Sequence, residues 1–137
     1  MMKTILLLAA LILSVGAAQA KPISVGALDR YAEIQRALAE DSLARATKAA
    51  VALTQALTDP ALRKSAEKIA KAKSLEEARA GFKEVSTPLV AELKKNKKPG
   101  YELYTCPMVK ADWIQKGGTV ANPYAGKAMA SCGEAIE

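Results

Sequence analysis

Cys106, Met108, Met129 and Cys132 hold all the sulfur of the chain beyond Met1 and Met2, and all four fall in its last third. Two thiols and two thioethers in a chain without histidine form a soft donor set, the kind that favours Cu(I) over harder ions. In Cys106-Pro107-Met108 the sulfurs stand i, i+2, on one side of an extended strand, with proline fixing the backbone between them. Met129 and Cys132 stand i, i+3, as neighbours on one face of a helical turn. Bringing the two surfaces together would make a compact sulfur cluster. The cysteines have a second fate. A Cys106–Cys132 disulfide would close a loop of about 26 residues and stabilise an irregular tail by roughly 3–4 kcal/mol. A redox switch between the two states, or inert free thiols, completes the set. Methionine also fills gaps in cores, so either methionine alone reads as packing. The helical part of the chain, however, contains no sulfur at all.

Other chemistry is poorly supported. Structural zinc uses four cysteine or histidine ligands, and with two cysteines zinc would need carboxylates such as Asp112 or Glu134. No histidine can serve as general base, no glycine-rich loop can cradle phosphate, and no nucleophile has an activating neighbour. Cys-x-x-Cys on an αβ pattern, the mark of a thiol oxidoreductase, is missing as well. An enzyme is therefore not expected. Ser86 lies within a helical stripe and reads as a packing hydroxyl.

The elements that must position the sulfurs come in two parts. From Leu28 to about Leu93 apolar residues recur every three or four positions, as in Leu43, Ala46, Ala50, Leu53 and Leu57, or Ala78, Phe82, Val85 and Leu89. The breaks are legible. Asp41, or Asp41 with Ser42, can cap a second helix after one ending near Ala39. Asp59-Pro60 opens a third, and Ser74 with Glu77 forms a capping box for a fourth. Pro88 should kink that last helix or end it near Thr87. The expected fold is mainly α: a small up-and-down four-helix bundle over residues 28–96 that keeps its helices without the tail. Residues 101–137 then form an irregular cap with at most a short β-hairpin and a helical turn over 127–131. Trp113, Tyr104 and Tyr124 should supply the apolar area that attaches the cap. Trp113 has an alternative role in shielding a bound Cu(I) by a cation–π contact. Asn122-Pro123-Tyr124 reads as a turn in which the asparagine bonds its own backbone.

The first twenty residues look like a targeting segment. Lys3 precedes an apolar run from Ile5 to Val15, and Ala18-Gln19-Ala20 fits a signal cleavage site. A mature protein starting at Lys21 would be a single domain of about 117 residues. It would lie in a compartment that permits disulfides, most simply a bacterial periplasm. No later segment approaches the roughly 20 apolar residues of a membrane span. The formal charge of +6 is concentrated in Lys94-Lys95-Asn96-Lys97-Lys98. With so few aromatics this stretch does not suit nucleic acid. It reads as a solvated helix end or as a docking patch for an acidic partner.

Several of these motifs, taken together, resemble a family of exported bacterial domains, domain of unknown function 3347, found alone or fused to periplasmic adaptor subunits of copper and silver efflux pumps. The resemblance rests on Cys106-Pro107-Met108, Trp113-Ile114 and the segment Asn122-Pro123-Tyr124-Ala125-Gly126 through Met129 to Cys132-Gly133. Weaker matches are Leu38-Ala39-Glu40-Asp41 and the stretch from Arg79 to Ser86. It implies a helical domain in heavy-metal resistance. Cys106, Met108, Met129 and Cys132 would bind Cu(I) or Ag(I), with Trp113, Asn122, Tyr124 and Gly126 as supporting residues. Its partner would be an efflux adaptor or another periplasmic metal carrier. Some relatives carry histidines in the helical region, and this chain has none, so the implied site rests on sulfur.

Overall fold

The computed structural model describes residues 21–137; the proposed signal segment lies outside the described residues. The chain is mainly α, with four helices followed by a three-stranded antiparallel sheet. Helix α1 spans Val25–Ala39, α2 Leu43–Ala56, α3 Pro60–Ala70 and α4 Leu75–Lys95. Each start has a side-chain cap: Ser24 accepts from the Ala27 N–H, Ser42 from Arg45, Asp59 from Leu62 and Ser74 from Glu77. Helix α1 begins three residues before Leu28 because Ser24, and not a later residue, satisfies its first turn. Pro60 occupies the first position of α3, where its missing N–H is harmless. Glu77 reaches back, but to the Lys73 N–H (2.8 Å) and not to that of Ser74. Helix α4 runs through Pro88 to Lys95, so the break at Thr87 does not occur.

The α1–α2 connection shapes the rest. Asp41 adopts a left-handed conformation (φ 56°), and the N–H groups of Asp41 and Ser42 bond the carbonyls of Leu38 and Ala37. This closes α1 in the manner usually reserved for glycine. Ser42 is therefore the cap of α2, and the Asp41 side chain is left free for another task.

The cap is more regular than a short hairpin. Strand β1 (Tyr101–Cys106) pairs with β2 (Ala111–Lys116) in full register from Tyr101↔Lys116 to Cys106↔Ala111, and its other edge pairs with β3 (Glu134–Ile136). The β1–β2 loop is Pro107 to Lys110, with Lys110 left-handed (φ 52°) and its N–H on the Cys106 carbonyl. By strand alternation Leu103 and Ile114 project from one face, and Tyr104 and Trp113 from the other. The helices and the cap share a single core, in which Phe82, Val85 and Leu89 lie in one buried cluster with Leu103, Tyr104, Trp113 and Ile114. A buried polar link joins them too. The Tyr31 hydroxyl meets Ser86 Oγ at 2.6 Å and accepts the Ile114 N–H at 3.2 Å. Ser86 thus acts as the packing hydroxyl its place in the helical stripe suggests. No helix among the described residues is long and apolar enough to cross a membrane.

Candidate functional site

Strand β1 ends at Cys106, which is 1% exposed, on the same face as Tyr104. One step beyond the last β1–β3 pair, Thr105↔Glu134, the register sets Cys106 opposite Gly133. Cys132 is thereby the sequence neighbour of the residue facing Cys106. Both cysteines are free thiols, with Cys132 half-buried.

Met108 corrects the sequence expectation. It does not continue the strand beside Cys106; Pro107 starts the hairpin turn, and Met108 stands at its tip, 74% exposed. Met129 closes a 3-10 turn (Gly126–Met129) and is 42% exposed. Its carbonyl accepts the Cys132 N–H at 3.0 Å, which makes the expected i, i+3 pair a turn of the main chain. The helical turn expected over 127–131 thus starts one residue earlier and ends two residues earlier. Both methionines are exposed residues, one in the turn leaving β1 and one in the turn leading to β3. Among the described residues no three cysteine and carboxylate side chains gather at one point.

Asn122 holds this turn in place. It is fully buried, and its Oδ1 accepts the N–H groups of Tyr124 (2.8 Å) and Ala125 (3.2 Å) in the expected self-bonded turn. Its Nδ2 donates to the Cys132 carbonyl at 2.6 Å, and its main-chain N–H to the Ala130 carbonyl at 2.7 Å. Every polar group of this side chain is used to fix residues 122–132. Trp113 lies beneath the far end of that segment. A Cβ at Gly133 would sit 2.5 Å from its ring, so only glycine permits this approach. Trp113 stacks on Tyr104 with ring centroids 5.5 Å apart and meets Tyr124 edge-on at 6.2 Å. The Tyr124 hydroxyl donates to the Asp112 carbonyl, and burial raises its pKa well above that of a free phenol.

Sequence reasoning missed the other anchor of the turn. The Arg79 guanidinium, on α4, donates to the carbonyls of Pro123 and Leu38 and to Asp41 Oδ1 at 2.7 Å. Asp41 Oδ2 in turn accepts the Lys127 N–H at 3.2 Å. One ion pair thus clasps the end of α1, the start of α4 and the start of the 3-10 turn. The only signal was that Asp41 and Arg79 both lie in the weaker helical motifs, and spacing alone could not pair residues so far apart.

The clasp carries a pH prediction. Hydrogen bonding from Arg79, and next from the Lys127 N–H, holds the Asp41 carboxyl below its ordinary value. A carboxylate depressed in the folded state stabilises it above the unfolded pKa, near 3.9, and that contribution is lost as pH falls through the folded value. Asp29, lowered chiefly by its hydrogen bonds from Lys116 and Tyr101, and Glu84, lowered by Lys68, act in the same direction. Acid titration followed by Trp113 fluorescence should therefore show the cap loosening below about pH 4. Asp41→Asn should flatten part of that step, and an unchanged acid profile would show that the clasp contributes nothing.

No protein-family model, curated protein or solved structure matches this chain.

Proposed function

We propose that this protein binds a soft monovalent metal ion, Cu(I) or Ag(I), through Cys106, Met108, Met129 and Cys132, as a periplasmic buffer or metallochaperone serving heavy-metal efflux. The observation that carries this reading is the exposure of both methionines. A methionine kept for packing would be buried, yet Met108 is left largely in water and Met129 is 42% exposed, each attached by a turn to a cysteine. Thiolates are the strong donors of such a set, and thioethers complete it without adding charge. Half-exposed donors suit an ion that is to be handed on, because a partner's ligands can enter before the first ones leave. Cys132 and Met129, both accessible, would meet the ion first. Cys106 lies deeper, and the hairpin loop must bend inward for Met108 to join it. The efflux setting, with an adaptor subunit or another carrier as recipient, rests on the motif resemblance.

The test is competition for Cu(I) against a chromophoric chelator, without oxygen and with the thiols reduced. One Cu(I) per chain is expected. Cys106→Ser with Cys132→Ser should abolish tight binding, whereas Met108→Leu or Met129→Leu should weaken it about tenfold with the fold intact. Equal binding by wild type and the double serine variant would overturn the site. The mass of the native protein separates the rival state, a Cys106–Cys132 disulfide capping an interaction module, since oxidation to that bond removes two hydrogen atoms, two protons with two electrons, and leaves no thiolate for copper.

A further inference from the structure

One end of the sheet carries more than the cysteines. The register that sets Cys106 opposite Gly133 brings the β1–β2 loop and the turn before β3 to the same end. Val109, in that loop, shares the lining of a cleft of about 340 Å³ with Tyr124 and with Arg79, Ala80 and Lys83 of α4. The large apolar residues that are exposed among the described ones are Val25, Val51, Met108, Val109 and Met129, and the last three belong to these two turns. Exposed apolar residues gathered in this way mark a surface that another molecule covers.

Met108 is poorly placed for an ion held by its own chain. Turning it toward Cys106 requires the loop to bend, and three features oppose the bend. Pro107 fixes the backbone at the first loop position. The Lys110 N–H closes the loop on the Cys106 carbonyl at 2.8 Å, and the Cys106↔Ala111 pair holds the strands together up to its base. As it stands, Met108 is 74% exposed and open to a ligand outside the chain. Charge favours an anionic centre as that ligand. Cu(I) on two thiolates carries one negative charge, and the loop from Pro107 to Lys110 has one cation and no carboxylate. Lys127 and Glu134, which flank the cysteine turn, offset each other.

On the Cu(I) reading above, on which this inference rests, we propose that Met108 serves the ion of a second copy of the chain. Cys106, Cys132 and Met129 of one protomer hold the ion, and Met108 of the partner subunit completes its ligands. The offered thioether and the turn that receives it lie on the same end of each chain. That is the condition for a two-fold contact in which both sites are completed at once. Two protomers then hold two ions, so the ratio of one Cu(I) per chain is kept. The exposed residues Met108, Val109 and Met129 of both copies are covered in the same contact, and each Lys110 enters beside the other chain's anionic centre. Without the ion nothing bridges the chains, and the apoprotein is monomeric.

Sedimentation velocity of the intact, reduced protein, without oxygen and with or without one Cu(I) per chain, reads the assembly. A monomer is expected without Cu(I) and a dimer with it, whereas Met108→Leu should stay monomeric when loaded. Mixing decides which chain Met108 serves. A Cys106→Ala, Cys132→Ala chain keeps Met108 and buries no new hydroxyl. Added to the Met108→Leu chain, it should restore the roughly tenfold loss of Cu(I) affinity. Lys110→Gln should weaken the loaded dimer severalfold. An unrestored affinity in the mixture, with both chains folded by circular dichroism, would overturn the proposal and leave the metal site standing. So would a loaded wild-type monomer that binds Cu(I) tightly, or a Met108→Leu chain that dimerises as wild type does. Dimerisation of the apoprotein to the same extent would overturn the ion-linked contact, and no Cu(I) binding by wild type would sink the site and the contact together.

Discussion

Trp113→Ala is expected to lower the free energy of unfolding by about 3–5 kcal/mol, the usual range for removing a fully buried large aromatic. The side chain is the largest of the fully buried ones, sandwiched between the β1–β2 hairpin and the segment that returns over it. Its indole N–H donates to Gln115 Oε1 at 3.0 Å, an oxygen that also accepts the Ala121 N–H, while Gln115 Nε2 donates to the Thr119 carbonyl. Truncation would thus leave a cavity and loosen a buried glutamine that pins residues 119–121. Against a total stability of about 5–15 kcal/mol for a domain of this kind, that is a large fraction. The measurement is urea unfolding followed by circular dichroism. Because Trp113 and Ile114 share one buried cluster with Phe82 and Leu89, helices and cap should melt in a single transition. Survival of the helical signal after early loss of the cap would instead restore the picture of a bundle that stands alone.

That picture came from the sequence, which expected Trp113, Tyr104 and Tyr124 to attach the cap but did not place Phe82, Val85 and Leu89 in one cluster with the strands. Local signals were legible: Asp59-Pro60 and Ser74 with Glu77 act within one turn, and their chemistry is the same in any fold. What could not be read were the contacts between distant residues. Nothing in the spacing of Tyr31 and Ser86 says that they share a hydrogen bond which also receives the Ile114 N–H. The three-residue strand β3 carries no alternation long enough to register, and only pairing with β1 makes it a strand. Met108 was misplaced for a related reason. Cys-Pro-Met extended is a strand pattern, but a four-residue turn with Lys110 left-handed is equally open to it, and the β1–β2 pairing decides. Asn122, by contrast, was readable because its bonds to Tyr124 and Ala125 are local. Its reach to Cys132 followed only once the chain had folded back.

Gly126→Ala should damage the cap at the clasp between Asp41 and Arg79. The residue has φ +65°, where an added Cβ costs about 1–2 kcal/mol in backbone strain. That is the lesser effect. The new methyl would lie 2.0 Å from Asp41 Oδ1 and 2.6 Å from Arg79 Nη2, a separation that no rotation of the methyl relieves. Either the ion pair opens or the turn lifts away, and lifting carries Met129 and Cys132 with it. Stability should therefore fall by more than the strain alone, and Cu(I) affinity should fall alongside it even though no sulfur has been touched. A double-mutant cycle isolates the cause. Asp41→Gly removes the carboxylate struck by the methyl and suits the left-handed backbone at position 41, so adding it to Gly126→Ala should cost less than the two changes summed. A coupling of about 0.5–3 kcal/mol is expected for residues in such contact. Additivity within about 0.5 kcal/mol would show that the clasp does not hold the turn, and the affinity loss would then have to come from strain at Gly126 itself.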